Sequence, residues 1–249
     1  MKKIPVILAL VAVAVVAYSM SNYTASSNYT TSSKTITAST NITKEIRNVF
    51  DFDKLEVQGV FQVDVSYSSK EEVEIEAPDN LHEYIELNVK SGTLNIELSR
   101  NTQINSSCSI KIHIKTSKLN GFELSGASSV KLNNTLKDNS LSIESSGAAS
   151  FKGDVDVNEA AIELDGAATV NLSGNATNAN LELSGASQIN DYSFEVDHLE
   201  IELSGASSAK ITSSKAIVGD VSGASSLTYR GNPSKKNVSV SGAATMSKK

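Results

Sequence analysis

The chain has 249 residues and a formal charge of −6, with 39% hydrophobic residues, no tryptophan and one cysteine. An acidic chain with no basic cluster is poorly suited to nucleic acid. The lone Cys108 excludes an internal disulfide and reads as a buried small apolar residue.

In chain order, Lys2 and Lys3 precede an apolar run over residues 4–17. That run is short for a membrane span and suits the core of a signal peptide. Ala17 and Ser19 put small residues at −3 and −1 for cleavage after Ser19, giving a leader over 1–19. Uncleaved, the same run would be an N-terminal anchor. It holds no cysteine, which excludes a lipoprotein anchor. Loss of Lys2 and Lys3 takes the formal charge from −6 to −8. The expected location is outside the cytoplasm: periplasm, cell surface or medium, with no transmembrane segment after cleavage. Residues 20–44 are mostly Ser, Thr, Asn, Tyr and Ala and predict a disordered tether. Asn22 and Asn41 open Asn-x-Thr sites that matter only in a host that glycosylates them.

Over residues 45–118, apolar and polar residues exchange at every position in Leu55–Val65, Val73–Ala77 and Ile96–Leu98. That is the strand period. Leu55–Val65 carries a glycine, Gly59, in the middle; Ile96–Asn105 resembles residues 181–190; Val73–Ala77 is a weaker copy. The segment reads as irregular first coils that cap a solenoid, with a separate antiparallel β domain as the alternative.

From residue 119 to 249 a Gly-Ala pair recurs. The glycines are Gly126, Gly147, Gly166, Gly185, Gly205, Gly223 and Gly242, separated by 21, 19, 19, 20, 18 and 19 residues. Serine precedes each except at Asp165. A period near twenty marks stacked supersecondary units, each unable to bury its apolar face alone. The leucine-asparagine consensus of leucine-rich repeats is missing, and a propeller blade needs about forty residues. Only Pro78 and Pro233 follow the leader, so ladder hydrogen bonds are rarely interrupted. The predicted fold is all-β, a single-stranded parallel β-solenoid of about 19–20-residue coils with irregular N-terminal coils. The glycines are expected at a corner. The small residues that follow (Ser128, Ala149, Ala168, Ser187, Ser207, Ser225, Ala244) are expected to stack, and the serines before glycine to cap the corner.

Chemistry-bearing residues are sparse. His82, His113 and His198 fall at dissimilar places in the repeat and read as surface residues. Gly-x-Ser-x-Gly, Cys-x-x-Cys and phosphate-loop motifs are absent from the sequence. One constellation remains. Glu123, Glu144, Glu163, Glu182, Glu202 and Asp220 each stand at the same place in the repeat. In-register stacking would make them a column spaced by roughly 5 Å, usable as a stripe for a cation or a cationic ligand. The plain alternative is solubility of a sheet face. No cofactor or dedicated metal site is expected.

The opening Phe50-Asp51-Phe52-Asp53-Lys54-Leu55-Glu56-Val57, the repeated Glu123-Leu124-Ser125-Gly126-Ala127-Ser128 and the closing Tyr229-Arg230-Gly231-Asn232-Pro233 together resemble one bacterial family. It is the family called putative auto-transporter adhesin, head GIN domain, and the similarity covers roughly residues 47–246. The resemblance implies a right-handed β-helix, an envelope or surface location and adhesion. It brings no catalytic residues. No transporter barrel follows the repeats in this sequence, a departure from the family name.

Three functions follow. The first is a non-catalytic surface module, an adhesin that meets a glycan or protein ligand along its repetitive face through many weak contacts. The second is an envelope scaffold, with weak end-to-end self-association through open coil ends. The third is a carbohydrate-active enzyme, by analogy of fold alone, with Glu163 and Asp165 as the nearest acidic pair among the regular coils. The scarcity of arginine after the leader (Arg47, Arg100, Arg230) weighs against the third.

Overall fold

The computed structural model describes residues 33–105 and 108–249; the expected leader over 1–19 lies outside the described residues, as does the tether up to residue 32. From Lys34 onward the chain is one compact unit, a β-solenoid of about seven turns.

The regular coils follow from alternation plus a corner. Ser150–Leu164, Thr169–Leu183, Gln188–Leu203 and Ser208–Val221 run as long strands. Each is parallel to the next, one coil further on. Like therefore stacks on like: Leu164 on Leu183, then Leu203, then Val221. These side chains are buried, and each contributes about 1.5–3 kcal/mol by leaving water. Within Ser150–Leu164 the buried residues fall at every second position until Asn158 and Glu159, which are both exposed. There the phase slips and the chain turns a second corner, without glycine. The next coil slips likewise near Thr177 and Asn178.

The N-terminal region enters the same stack out of sequence order. Lys54–Gly59 and Phe61–Tyr67 lie parallel beneath Gly121–Gly126 and Ser129–Leu132. Thr93–Leu98 and Ile110–Thr116 lie parallel beneath those. Beyond this level the direction changes. Glu72–Pro78 runs antiparallel to Ile110–Thr116, Ile42–Arg47 antiparallel to Glu72–Pro78, and Ile85–Lys90 antiparallel to Thr93–Leu98. A six-residue 3-10 helix, Asp79–Tyr84, buries Leu81. One apolar cluster runs from Phe52 to Tyr229, so these strands share the core of the coils and cover its end.

Three expectations change here. The disorder expected over 20–44 does not hold from Lys34 onward: Lys34–Ile36 pairs with Thr102–Ile104, and Ile42–Arg47 is a strand. The β-branched Thr35, Ile36, Ile42 and Thr43 outweigh the low-complexity composition. Ile96 is level with Val57 and hence with Leu124, two residues away from the alignment to 181–190. Val73–Ala77 runs against its neighbours. The reason is shared: a period of two is unchanged by a shift of two or by reversal. A local cue did exist. Ser91 and Gly92 both have positive φ, 53° and 81°, and close the hairpin between Ile85–Lys90 and Thr93–Leu98.

Candidate functional site

The Gly-Ala step builds a column of its own. From Gly126 to Gly242 the corner glycines have φ between 66° and 93°. The N–H of Ala167 donates to the Gly147 carbonyl one coil below at 2.7 Å, and the equivalent bond recurs at the other corners. A Cβ on Gly166 would sit 2.7 Å from that same carbonyl oxygen. Backbone angle and close approach thus both require glycine. Capping falls mainly to the buried serines three residues after the expected ones: the Ser187 hydroxyl donates to the Ser184 carbonyl at 2.7 Å, and Ser225 to Ser222 at 2.6 Å. The serine before glycine reaches the neighbouring coil instead, as Ser222 does to the Leu203 carbonyl at 3.2 Å.

The acidic residues line up in register. Glu123, Glu144, Glu163, Glu182, Glu202 and Asp220 are consecutive partners, and Ser239 follows. The column has one more member, Glu56, beneath Glu123. Sequence reasoning missed it because sixty-seven residues separate the two partners; Gly59 beneath Gly126 was the available signal. Partial desolvation, then the flanking Glu56 and Glu144, hold the Glu123 carboxyl above its usual value. Desolvation, then Glu182, Glu144 and Asp165, do the same to Glu163. Asp165 moves the other way. Its carboxylate accepts from the Ser184 hydroxyl and from the Gly166 N–H, both at 2.7 Å, which lower its pKa. Asp165 is therefore a corner cap. Among the described residues no group of three or more His, Cys, Asp and Glu is arranged to hold a metal ion. Each coil adds one carboxylate to the column, and ligands do not converge.

The histidines divide. His113 is half-buried on an outer sheet face, 3.6 Å from both Asp64 and Glu76. His82 is not a surface residue: it is buried, with Nδ1 3.3 Å from Glu45 and Nε2 3.0 Å from the Thr43 hydroxyl. The strand Ile42–Arg47, read as tether and its edge, is what covers it. His198 is exposed. Cys108 is half-buried against the core.

His198 stands in a half-open groove of about 670 Å³. The groove follows the second corner along the stack. One wall is the column Ser140, Glu159, Asn178, His198, Ala216, Lys235. The other is Lys54, Gly121, Ser142, Ala161, Asn180, Glu200, Val218. Between them runs a floor of Leu141, Ala160, Ala179 and Leu199. Alanine at the two central floor positions and at position 161 of the wall leaves the trough. Asn178 Nδ2 donates to Glu159 Oε1 at 2.7 Å, and Asn180 Nδ2 to Glu182 Oε1 at 3.0 Å. Of this site the sequence reading had only His198, and as a bland surface residue. The signal was the column spacing, legible once the slip after Val157 is known.

The family model described as "Putative auto-transporter adhesin, head GIN domain" matches residues 51–233. The chain belongs to this family. Several proteins of solved structure share its coils. The crystal structure of a putative adhesin from Bacteroides fragilis NCTC 9343 matches at 25% identity, with a TM-score of 0.82, over 86% of this chain and all of that one. A putative adhesin from Parabacteroides distasonis ATCC 8503 matches at 17% identity and a TM-score of 0.70, over 87% and 100%. A putative lipid binding protein from the same organism matches at 17% and 0.66, over 87% and 100%. No curated protein matches the chain. The matched head GIN segment takes in the whole carboxylate column and all of the groove except Lys235. The edge strands Ile42–Arg47, Lys235–Val240 and Thr245–Lys248 fall outside it.

Proposed function

We propose that the protein is a non-catalytic binding module of the bacterial cell envelope, exported and displayed on or beyond the membrane, that adheres to a surface ligand along the flank of its solenoid. The supporting observation is the groove: equivalent positions of successive coils line one continuous trough of about 670 Å³. Repetition of that kind suits a repetitive ligand, because weak equivalent contacts sum through multivalency. Membership of a family named for adhesion points the same way.

The test is binding of the full chain to whole bacterial and host cells, with and without calcium. Saturable binding is the expected result. A calcium requirement would move the contact from the groove to the carboxylate column. Silence on every surface would overturn the reading and leave a scaffold role.

A further inference from the structure

We infer that the groove is a binding site for an extended, uncharged oligosaccharide, with Asn178, His198 and Glu200 as its central hydrogen-bonding side chains. This inference rests on the surface-binding reading above and names its ligand class and its site.

The length comes first. Lys54 stands at one end and Lys235 at the other, seven strand steps apart. At roughly 4.8 Å per step the trough is about 34 Å long. Such a shape takes a chain, and a compact metabolite would leave most of it empty.

The charge comes second. Two lysines and two glutamates line the groove, so it offers no net field to steer a polyanion or a polycation. The neighbouring trough over Glu163, Glu182, Glu202 and Asp220 is uniformly acidic and lies on another part of each coil. The molecule therefore presents one charge-balanced trough beside an anionic one.

The polar groups decide the class. A peptide strand binds by adding to an exposed sheet edge. Here the backbone under the groove is already committed to pairing with the coils above and below. A hydrocarbon chain needs an enclosed, mostly apolar pocket, whereas this trough is open along its length and walled by Ser142, Asn178, Asn180 and Glu200. What remains is a polymer with a hydroxyl on every side. Asn178 keeps its amide oxygen after donating to Glu159, and amide, imidazole and carboxylate groups together accept from and donate to hydroxyls. The floor residues Ala160, Ala179 and Leu199 belong to the core and are at most 4% exposed, so recognition falls to the wall side chains. Among the described residues no aromatic side chain lines the trough, so a single chain is held without stacking and weakly, and the probe must be multivalent.

The experiment uses the full chain against a surface bearing neutral hexasaccharides of glucose, mannose and N-acetylglucosamine, with sulfated glycans and phospholipid vesicles alongside and whole cells in parallel. Two groove variants are compared with wild type. Ala161→Ile fills the trough from an exposed position, and Asn178→Ala with His198→Ala removes its central polar groups without touching the core. Glu144→Gln, in the carboxylate column, is the control. The expected result is saturable binding to at least one neutral hexasaccharide, weakened at least tenfold by each groove variant and unchanged by Glu144→Gln. If neutral sugars bind and the groove variants bind equally well, the site is wrong. If cells or sulfated glycans or vesicles bind and neutral sugars do not, the ligand class is wrong while the surface-binding reading stands. If nothing binds, that reading fails and this one with it.

Discussion

Ser145 shows how strictly a stacked column judges each residue. It lies between Leu124 and Leu164 in a column of large apolar side chains. It is 8% exposed, and its hydroxyl has no hydrogen-bond partner among the described residues. An unpaired buried hydroxyl costs roughly 1–3 kcal/mol. Ser145→Ala should therefore raise stability by about 1 kcal/mol in urea unfolding, since it removes only the hydroxyl. Ser187 is the opposite case. It is buried more deeply still, but its hydroxyl donates to the Ser184 carbonyl at 2.7 Å. Ser187→Ala should lower stability by about 1 kcal/mol. Equal signs for the two would refute the account. Repeat position already separates the two in the sequence: Ser145 stands two residues before its glycine, where other coils carry Leu or Val, and Ser187 two residues after, where they carry Ser or Ala.

Among elements, the carboxylate column and the carboxylates held elsewhere by lysine or hydroxyl partners respond to pH in opposite senses. Glu123 and Glu163 hold their protons to higher pH in the folded state than the ordinary 4.5. In the window above 4.5 the folded chain binds more protons than the unfolded one, so stability rises as pH falls into it. Glu72, flanked by Lys115 and Lys70, is lowered to about 2, and Glu76, Asp79 and Asp197 are lowered as well. Their contribution is present above the unfolded values and is lost as pH falls toward 2. Thermal unfolding should accordingly be most resistant at mildly acidic pH and decline on both sides. Glu163→Gln should flatten the decline toward neutrality and leave the acid limb unchanged. A profile that keeps its neutral slope in this variant would show that the column does not act as a coupled set. Added salt should flatten that slope only in part, because it screens the neighbouring carboxylates and not the desolvation that comes first.

At the scale of the whole molecule, the solenoid is close to a one-dimensional array in which a coil contacts only its neighbours. Removing residues 166–184 takes out one coil and rejoins Asp165 to Gly185, which restores a Gly-Ala corner in register. The shortened chain should still fold with an undiminished β signature in circular dichroism, and its urea m-value should fall with the buried surface lost. Collapse to an unfolded chain would mean that the particular contacts of Thr169–Leu183 matter beyond their place in the repeat. The same array explains why binding is sought along the flank, where the coil period gives a ligand equivalent contacts.

The sequence by itself determined the coil. A Gly-Ala corner every nineteen or so residues, with alternation between, leaves the chain no better way to bury its leucines and isoleucines than to stack in register. The glutamate column came with it, because register carries every repeat position into a line. Three other matters rested on tertiary contacts between distant strands. The direction of Val73–Ala77 was one, since a period of two reads the same both ways and Ser91-Gly92 marks only the hairpin of Ile85–Lys90 with Thr93–Leu98. Another was the burial of His82 under a strand read as tether. The last was the groove, whose walls come from residues that no local pattern joins: a phase slip at Asn158 and Glu159 turns the chain, alanines at 160, 161 and 179 leave space, and stacking alone brings Lys54 and Lys235 to the two ends of one trough.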